Sequence, residues 1–190
     1  MTGAYTPGQT IGPFFGYALP YPHGHELVPP GHPAAVRLHG TVLDGDGRAV
    51  PDAVLEIWQP DGDGRLPRAP GSLSRDGYTF TGWGRASTDN AGQYTFTTVE
   101  PGPTEPGRPP FIAVTVFARG LLDRLFTRIY LPDDETAPAA DPLLAALSPD
   151  RRRTLIAERD EHGLRFDVVL QGERETVFLA HGGTESAEAL

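Results

Sequence analysis

Arg108-Pro-Pro-Phe-Ile-Ala-Val-Thr-Val-Phe-Ala-Arg119 holds an uncharged run between two arginines. Residues 111–118 carry no charge, no glycine and no proline, and prolines precede them. A short apolar run of this kind reads as a buried strand, and it is far too short to cross a membrane as a helix. Upstream lies Thr88-Asp-Asn-Ala-Gly-Gln-Tyr-Thr-Phe-Thr-Thr-Val-Glu-Pro-Gly-Pro103. Residues 85–88 and 93–99 flank Asp89-Asn-Ala-Gly92, which predicts a hairpin with Gly92 at positive φ. Tyr94 and Phe96 then face one way, Thr95 and Thr97 the other.

The same signals extend in both directions. Residues 36–43 alternate, with Val36, Leu38 and Val42 on one side, and predict a half-buried strand. Further strands are expected at 53–58, 125–131, 165–170 and 174–179, the last two joined at Gln171-Gly-Glu173. Asp44-Gly-Asp-Gly47 and Asp61-Gly-Asp-Gly64 are turns, and residues 65–80 are loop. Ser148 as N-cap and Pro149 at the first position predict a helix to about Arg159. A shorter turn is expected around Pro142–Leu147. The fold expected is all-β: a two-sheet β-sandwich over residues 35–180, an extended N-terminal arm over 1–34, one or two short helices, and a disordered tail over 181–190.

Composition sets limits. A chain of 190 residues suits one domain with a sizeable core. Sixteen basic against 25 acidic residues give a net charge of −9, which disfavours nucleic acid and anionic membranes. It does not forbid a small anionic substrate beside one local arginine. Arg151–Arg153 reads as a solvated face. The chain has no cysteine, which removes disulfides, thiolate metal sites and cysteine nucleophiles and suits a cytoplasmic protein. The segment Met1–Gly8 has no basic stretch followed by an apolar one, so no signal peptide is read there. Twenty prolines and 23 glycines fit a turn-rich β domain.

Several motifs have plain readings. The Asp-Gly-Asp-Gly segments lack the twelfth-position Glu of a calcium loop, since counting from Asp44 and Asp61 reaches Leu55 and Ser72. They read as ordinary turns. His23, His25 and His32 could meet at a metal, but no carboxylate pattern orients them, and a solvated loop is the expectation. His39 is a strand bystander and His162 lies in a turn. No nucleophile elbow, phosphate loop or dinucleotide fingerprint is present.

Leu38-His-Gly-Thr-Val-Leu-Asp-Gly-Asp-Gly47, Val50-Pro-Asp-Ala-Val-Leu-Glu-Ile-Trp58 and Gly64 resemble the pattern of the intradiol ring-cleavage dioxygenases. Leu66 departs from it, standing where Phe or Tyr is usual. The same skeleton is loosely shared by transthyretin-like sandwiches. Gln9-Thr-Ile-Gly-Pro-Phe14, Phe117-Ala-Arg-Gly120 with Thr127-Arg-Ile-Tyr130, and Arg165-Phe-Asp-Val-Val-Leu-Gln-Gly172 with Glu175-Thr-Val-Phe178 resemble further segments of that family. The resemblance covers about residues 6–180.

The resemblance implies a chemistry and a defect in it. Family members hold Fe(III) with two Tyr and two His, chelate a catechol on the metal, and cleave the ring between its hydroxyl-bearing carbons with O₂. A His-x-His pair opens the strand, where residues i and i+2 face the same side. Phe111 and Ala113 stand there instead, and Thr104 stands where a Tyr follows Pro-Gly-Pro. Tyr78 is the one Tyr in the loop before Gly84-Arg85, and its spacing matches poorly. The chain then resembles the alpha-type, non-iron-ligating subunit of a two-subunit member. Its Fe(III) would be held by a partner beta subunit acting on 3,4-dihydroxybenzoate (protocatechuate) and O₂, in a larger hetero-oligomer. By the same resemblance Thr10, Gly12, Pro13 and Arg119 would help wall the partner's pocket. Gly12-Pro13 could approach a flat ring closely, and Arg119 could face a ring carboxylate. Catechol-cleaving members carry an N-terminal helical region that is not read here. The alternatives are a non-enzymatic transthyretin-like binding module and a self-sufficient metalloenzyme built on His23, His25 and His32.

Overall fold

The computed structural model describes residues 15–67, 76, 78–134 and 137–180. Two sheets face each other. The first has the order β4-β1-β8-β7, built from β1 (Val36–Leu43), β4 (Gln93–Thr98), β7 (Glu158–Asp160) and β8 (Gly163–Arg165), with β9 (Val168–Val169) also on β1. The second has the order β3-β2-β5-β6, built from β2 (Val54–Trp58), β3 (Trp83–Ser87), β5 (Phe111–Phe117) and β6 (Leu125–Tyr130). The expected two-sheet sandwich is what forms.

Period-2 alternation supplies the core. Leu38, Val42, Phe96, Leu164 and Val168 point inward from the first sheet, and Leu55, Ile57, Ile112, Val114, Val116 and Ile129 from the second. Each such side chain contributes about 1.5–3 kcal/mol by leaving water. The strand 111–117 decides the layering: Ile112, Val114 and Val116 are buried, while Phe111, Ala113, Thr115 and Phe117 lie on the half-buried outer face. A smaller cluster of Tyr130, Ala137, Leu144, Leu155 and Val177 closes one end.

Four expected elements differ. The strands β3 and β4 do not form a hairpin, because β3 pairs with β2 and β4 pairs with β1 in the other sheet. The Asp89 turn between them carries the chain from one sheet to the other. Residues 165–170 do not run as one strand. Phe166 breaks the ladder so that its carbonyl accepts the Tyr94 hydroxyl at 2.6 Å. Gly40 leaves the space, since a Cβ there would sit 1.8 Å from that carbonyl oxygen. Residues 174–179 form no strand; they are tied by Leu179 N to Phe126 O at 2.8 Å and by Thr127 Oγ1 to Val177 O at 2.8 Å. The helix from Pro149 stops at Arg153 rather than Arg159, because Ile156 bridges to Tyr130 and Glu158 enters β7.

Four short helices are described: α1 (Phe15–Ala18), α2 (Ala137–Ala140), α3 (Pro142–Ala146) and α4 (Pro149–Arg153). Ser148 caps α4 as the sequence implies, and Asp141 caps α3 by accepting from Leu143 N and Leu144 N. No described helix is long and apolar enough to cross a membrane.

The segment before β1 closes one sandwich edge. Gly24 O accepts from Arg85 N on β3 at 2.8 Å, and His25 O accepts from Thr97 N on β4 at 2.9 Å. One short piece of chain thereby pairs with edge strands of both sheets, which removes two open edges.

Candidate functional site

The outer face of the second sheet is laid out by register. Trp83, Trp58, Ala113 and Arg128 stand opposite one another across four strands, and Phe111 stands opposite Tyr130. Ala113 offers only a methyl group, so the longer Arg128 has room to lie across β5. Its guanidinium carbon sits 4.1 Å from the centre of the Phe111 ring. Arg128 Nη1 donates to Tyr130 Oη at 3.2 Å and lies 3.7 Å from Asp141 Oδ2. Phe111 and Tyr130 meet at 5.7 Å between ring centres.

Thr104 enters from the loop after β4. The Asp61 turn positions the start of that loop, with Gly102 N donating to Asp61 O at 2.8 Å. Thr104, Arg108, Phe111, Arg128, Asp141 and Leu143 are among the walls of a cavity of about 470 Å³. Burial holds the Tyr130 phenol up at about 12, and the Arg128 guanidinium beside it pulls the other way.

These residues do not fit ferric iron. A hard cation of high charge needs phenolate, carboxylate or imidazole donors. Phe111 and Ala113 have no donor atom, and Thr104 offers a neutral hydroxyl. The guanidinium on Phe111 adds a fixed positive charge where a metal would need negative ligands. Tyr130 Oη already accepts from that guanidinium. Tyr78, the other phenol considered, is almost fully exposed.

Arg119 follows β5 and reaches Asp52, with Nε at 2.6 Å and Nη2 at 2.5 Å from Oδ2. The Arg119 side chain is 66% exposed and that of Asp52 only 13%. A Cβ on Gly16 would sit 3.4 Å from the Asp52 carbonyl oxygen, so α1 packs where Asp52 anchors Arg119. The structure thus brings Arg119 beside the segment that follows Gly12-Pro13. Thr10, Gly12 and Pro13 themselves lie outside the described residues.

His23 and His25 both approach Glu26, at 3.2 and 3.7 Å, while His32 Nδ1 accepts from Ala34 N. Among the described residues no three His, Cys, Asp or Glu side chains group as a metal site. His39 is not a bystander: its Nε2 lies 3.2 Å from Asp160 Oδ1, and its ring meets His162 edge-on. The Asp160 carboxyl is held below its ordinary range by the His162 backbone N–H and by His39.

Sequence reasoning missed Arg128 and Asp141. The Thr-Arg-Ile-Tyr segment was visible, but only cross-strand register sets Arg128 against Ala113. Pro142 after an Asp was a capping signal for Asp141.

A family model described as Dioxygenase matches residues 11–172. The chain is 42% identical over 190 residues to a protocatechuate 3,4-dioxygenase alpha chain of Burkholderia cepacia, covering 91% of this chain and 95% of the relative. It is 31% identical over 179 residues to a protocatechuate 3,4-dioxygenase beta chain of the same organism, covering 82% of this chain and 74% of the relative. Among solved structures, the dioxygenase domain of a dioxygenase carbohydrate-binding protein fusion from Streptomyces sp. SirexAA-E superposes with a TM-score of 0.57. Its identity is 26%, and 88% of this chain and 98% of that one are covered.

Proposed function

The chain belongs to the intradiol ring-cleavage dioxygenase family, and on that premise we propose that it is the alpha-type subunit of a protocatechuate 3,4-dioxygenase. In this reading it holds no catalytic iron. It packs on a beta-type partner that holds Fe(III), and the pair cleaves 3,4-dihydroxybenzoate with O₂ to 3-carboxy-cis,cis-muconate in the cytoplasm, as part of a larger hetero-oligomer. The observation that supports the reading is the outer face of β5: the sandwich is intact, and Phe111 and Ala113, which the resemblance sets at ligand positions together with Thr104, carry no donor atom, with Arg128 lying over the Phe111 ring.

What this chain contributes is shape and charge. Arg119 is anchored by Asp52 through Nε and Nη2. The anchored fork can receive a ring carboxylate from a neighbouring pocket. In this reading Thr10, Gly12 and Pro13 are assigned to the same pocket on their residue types and the family resemblance alone. The partner's iron supplies the oxygen chemistry.

Co-expression with an iron-bearing beta-type chain tests this. The expected result is one complex in which iron follows the partner in a one-to-one ratio with this chain. Separate elution of the two chains, with an active partner alone, would contradict it.

A further inference from the structure

The cavity beside β5 is open and brings two guanidiniums, Arg108 and Arg128, together with two carboxylates, Glu105 and Asp141. We propose that it is a carboxylate-binding site for a small planar acid, built on the guanidinium of Arg128. Three observations carry this. First, Arg128 is preorganised: Phe111 supports one face at 4.1 Å, and Nη1 is fixed by Tyr130 Oη at 3.2 Å. Second, no described residue accepts from Nε or Nη2, so one edge of the fork keeps two parallel donors for a carboxylate. Third, the competing anions are weak ones. Asp141 Oδ1 is committed to Leu143 N at 2.8 Å and Leu144 N at 3.3 Å, and its other oxygen stands off at 3.7 Å. Glu105 is 74% exposed and lies 3.9 Å from Arg108.

Arg108 adds a second positive charge on the same wall, fixed by Nη1 donating to Ala140 O at 3.0 Å. Leu143 offers an apolar flank for the rest of the ligand. A volume of about 470 Å³ accommodates one aromatic ring with its carboxylate and water. No bond is made or broken there. The site binds an acid and does not transform it, and it stands on this chain's geometry whether or not the subunit reading holds.

Benzoate is the probe, because it has the carboxylate and lacks the two hydroxyls a metal would chelate; benzamide is its uncharged match. The full chain is titrated with each by calorimetry or by NMR. Saturable binding of benzoate and none of benzamide is expected. Arg128→Gln should weaken benzoate at least tenfold, and Arg128→Lys, which keeps the charge but not the fork, should weaken it less. Equal binding of both probes would overturn the proposal. So would unchanged binding in Arg128→Gln, or a loss confined to Arg119→Gln, which would place the acid at the other end of β5.

Discussion

Two arginines on the outer face of one sheet sit over aromatic rings and do different work. Arg85 on β3 lies 5.1 Å from the centre of the Trp83 ring, and Arg128 on β6 lies 4.1 Å from that of Phe111. Arg85 is fully committed. Its Nε and Nη2 both donate to Glu56 Oε1, at 2.9 and 2.5 Å, and its Nη1 donates to Leu19 O at 2.7 Å. Arg128 spends one nitrogen on Tyr130 and Asp141. Exposure differs only modestly, 16% against 32% of the side chain. The inventory of partners, rather than exposure, separates a structural clamp from a head group available for binding.

The Arg85 clamp carries the larger share of stability. Arg85→Ala strands a half-buried Glu56, frees Leu19 and removes the stack on Trp83. A loss of about 2–3 kcal/mol is expected in denaturant unfolding. If Arg85→Ala and Arg128→Ala cost the same, the distinction between the two fails. Asp141→Ala removes both cap bonds of α3 and one neighbour of Arg128, and should cost about 1–2 kcal/mol by the same measurement. A smaller loss is expected for Ser148→Ala, about 0.5 kcal/mol, because its oxygen lies 3.4 Å from Arg151 N.

High pH probes the Arg128 side of the sheet. Burial raises the Tyr130 phenol from 10.0 to about 12 in the folded chain. Its neutral form therefore stabilises the fold fully below pH 10, and that contribution is lost as pH rises towards 12. Stability of the Tyr130→Phe variant should fall less across this window than that of the parent chain. Parallel curves would show that the phenol does not titrate there.

Arg119 gives the smallest effect on folding and the most specific effect on function. Its pair with Asp52 is exposed on the arginine side, so Arg119→Ala should change stability by no more than about 0.5 kcal/mol. In the assembled enzyme the same variant should raise KM for protocatechuate severalfold. A normal KM would remove Arg119 from the pocket wall.

The sequence made the fold legible where one residue determines its own environment. The alternation of 111–117 showed which side chains enter the core, and Asp-x-x-Gly marked three turns. Asp44, Asp61 and Asp89 each accept from the backbone two and four residues on, with Gly47, Gly64 and Gly92 at positive φ. Those turns do not say which sheet the next strand joins, because alternation is the same in a hairpin and in a crossing between sheets. That is why β3 and β4 read as partners and are not. That Thr104, Phe111 and Ala113 are poor iron ligands was legible as residue chemistry, while their standing at ligand positions came from the family resemblance. The guanidinium over Phe111 was not legible, because its placement depends on the pairing of Ala113 with Arg128.

The subunit assignment is tested by protocatechuate-dependent O₂ uptake with iron content, measured on this chain alone, on the beta-type partner alone, and on the two co-expressed. Iron bound to the partner and full activity in the complex only, with neither iron nor uptake in this chain alone, is the predicted result. Stoichiometric iron and O₂ uptake in the isolated chain would contradict it.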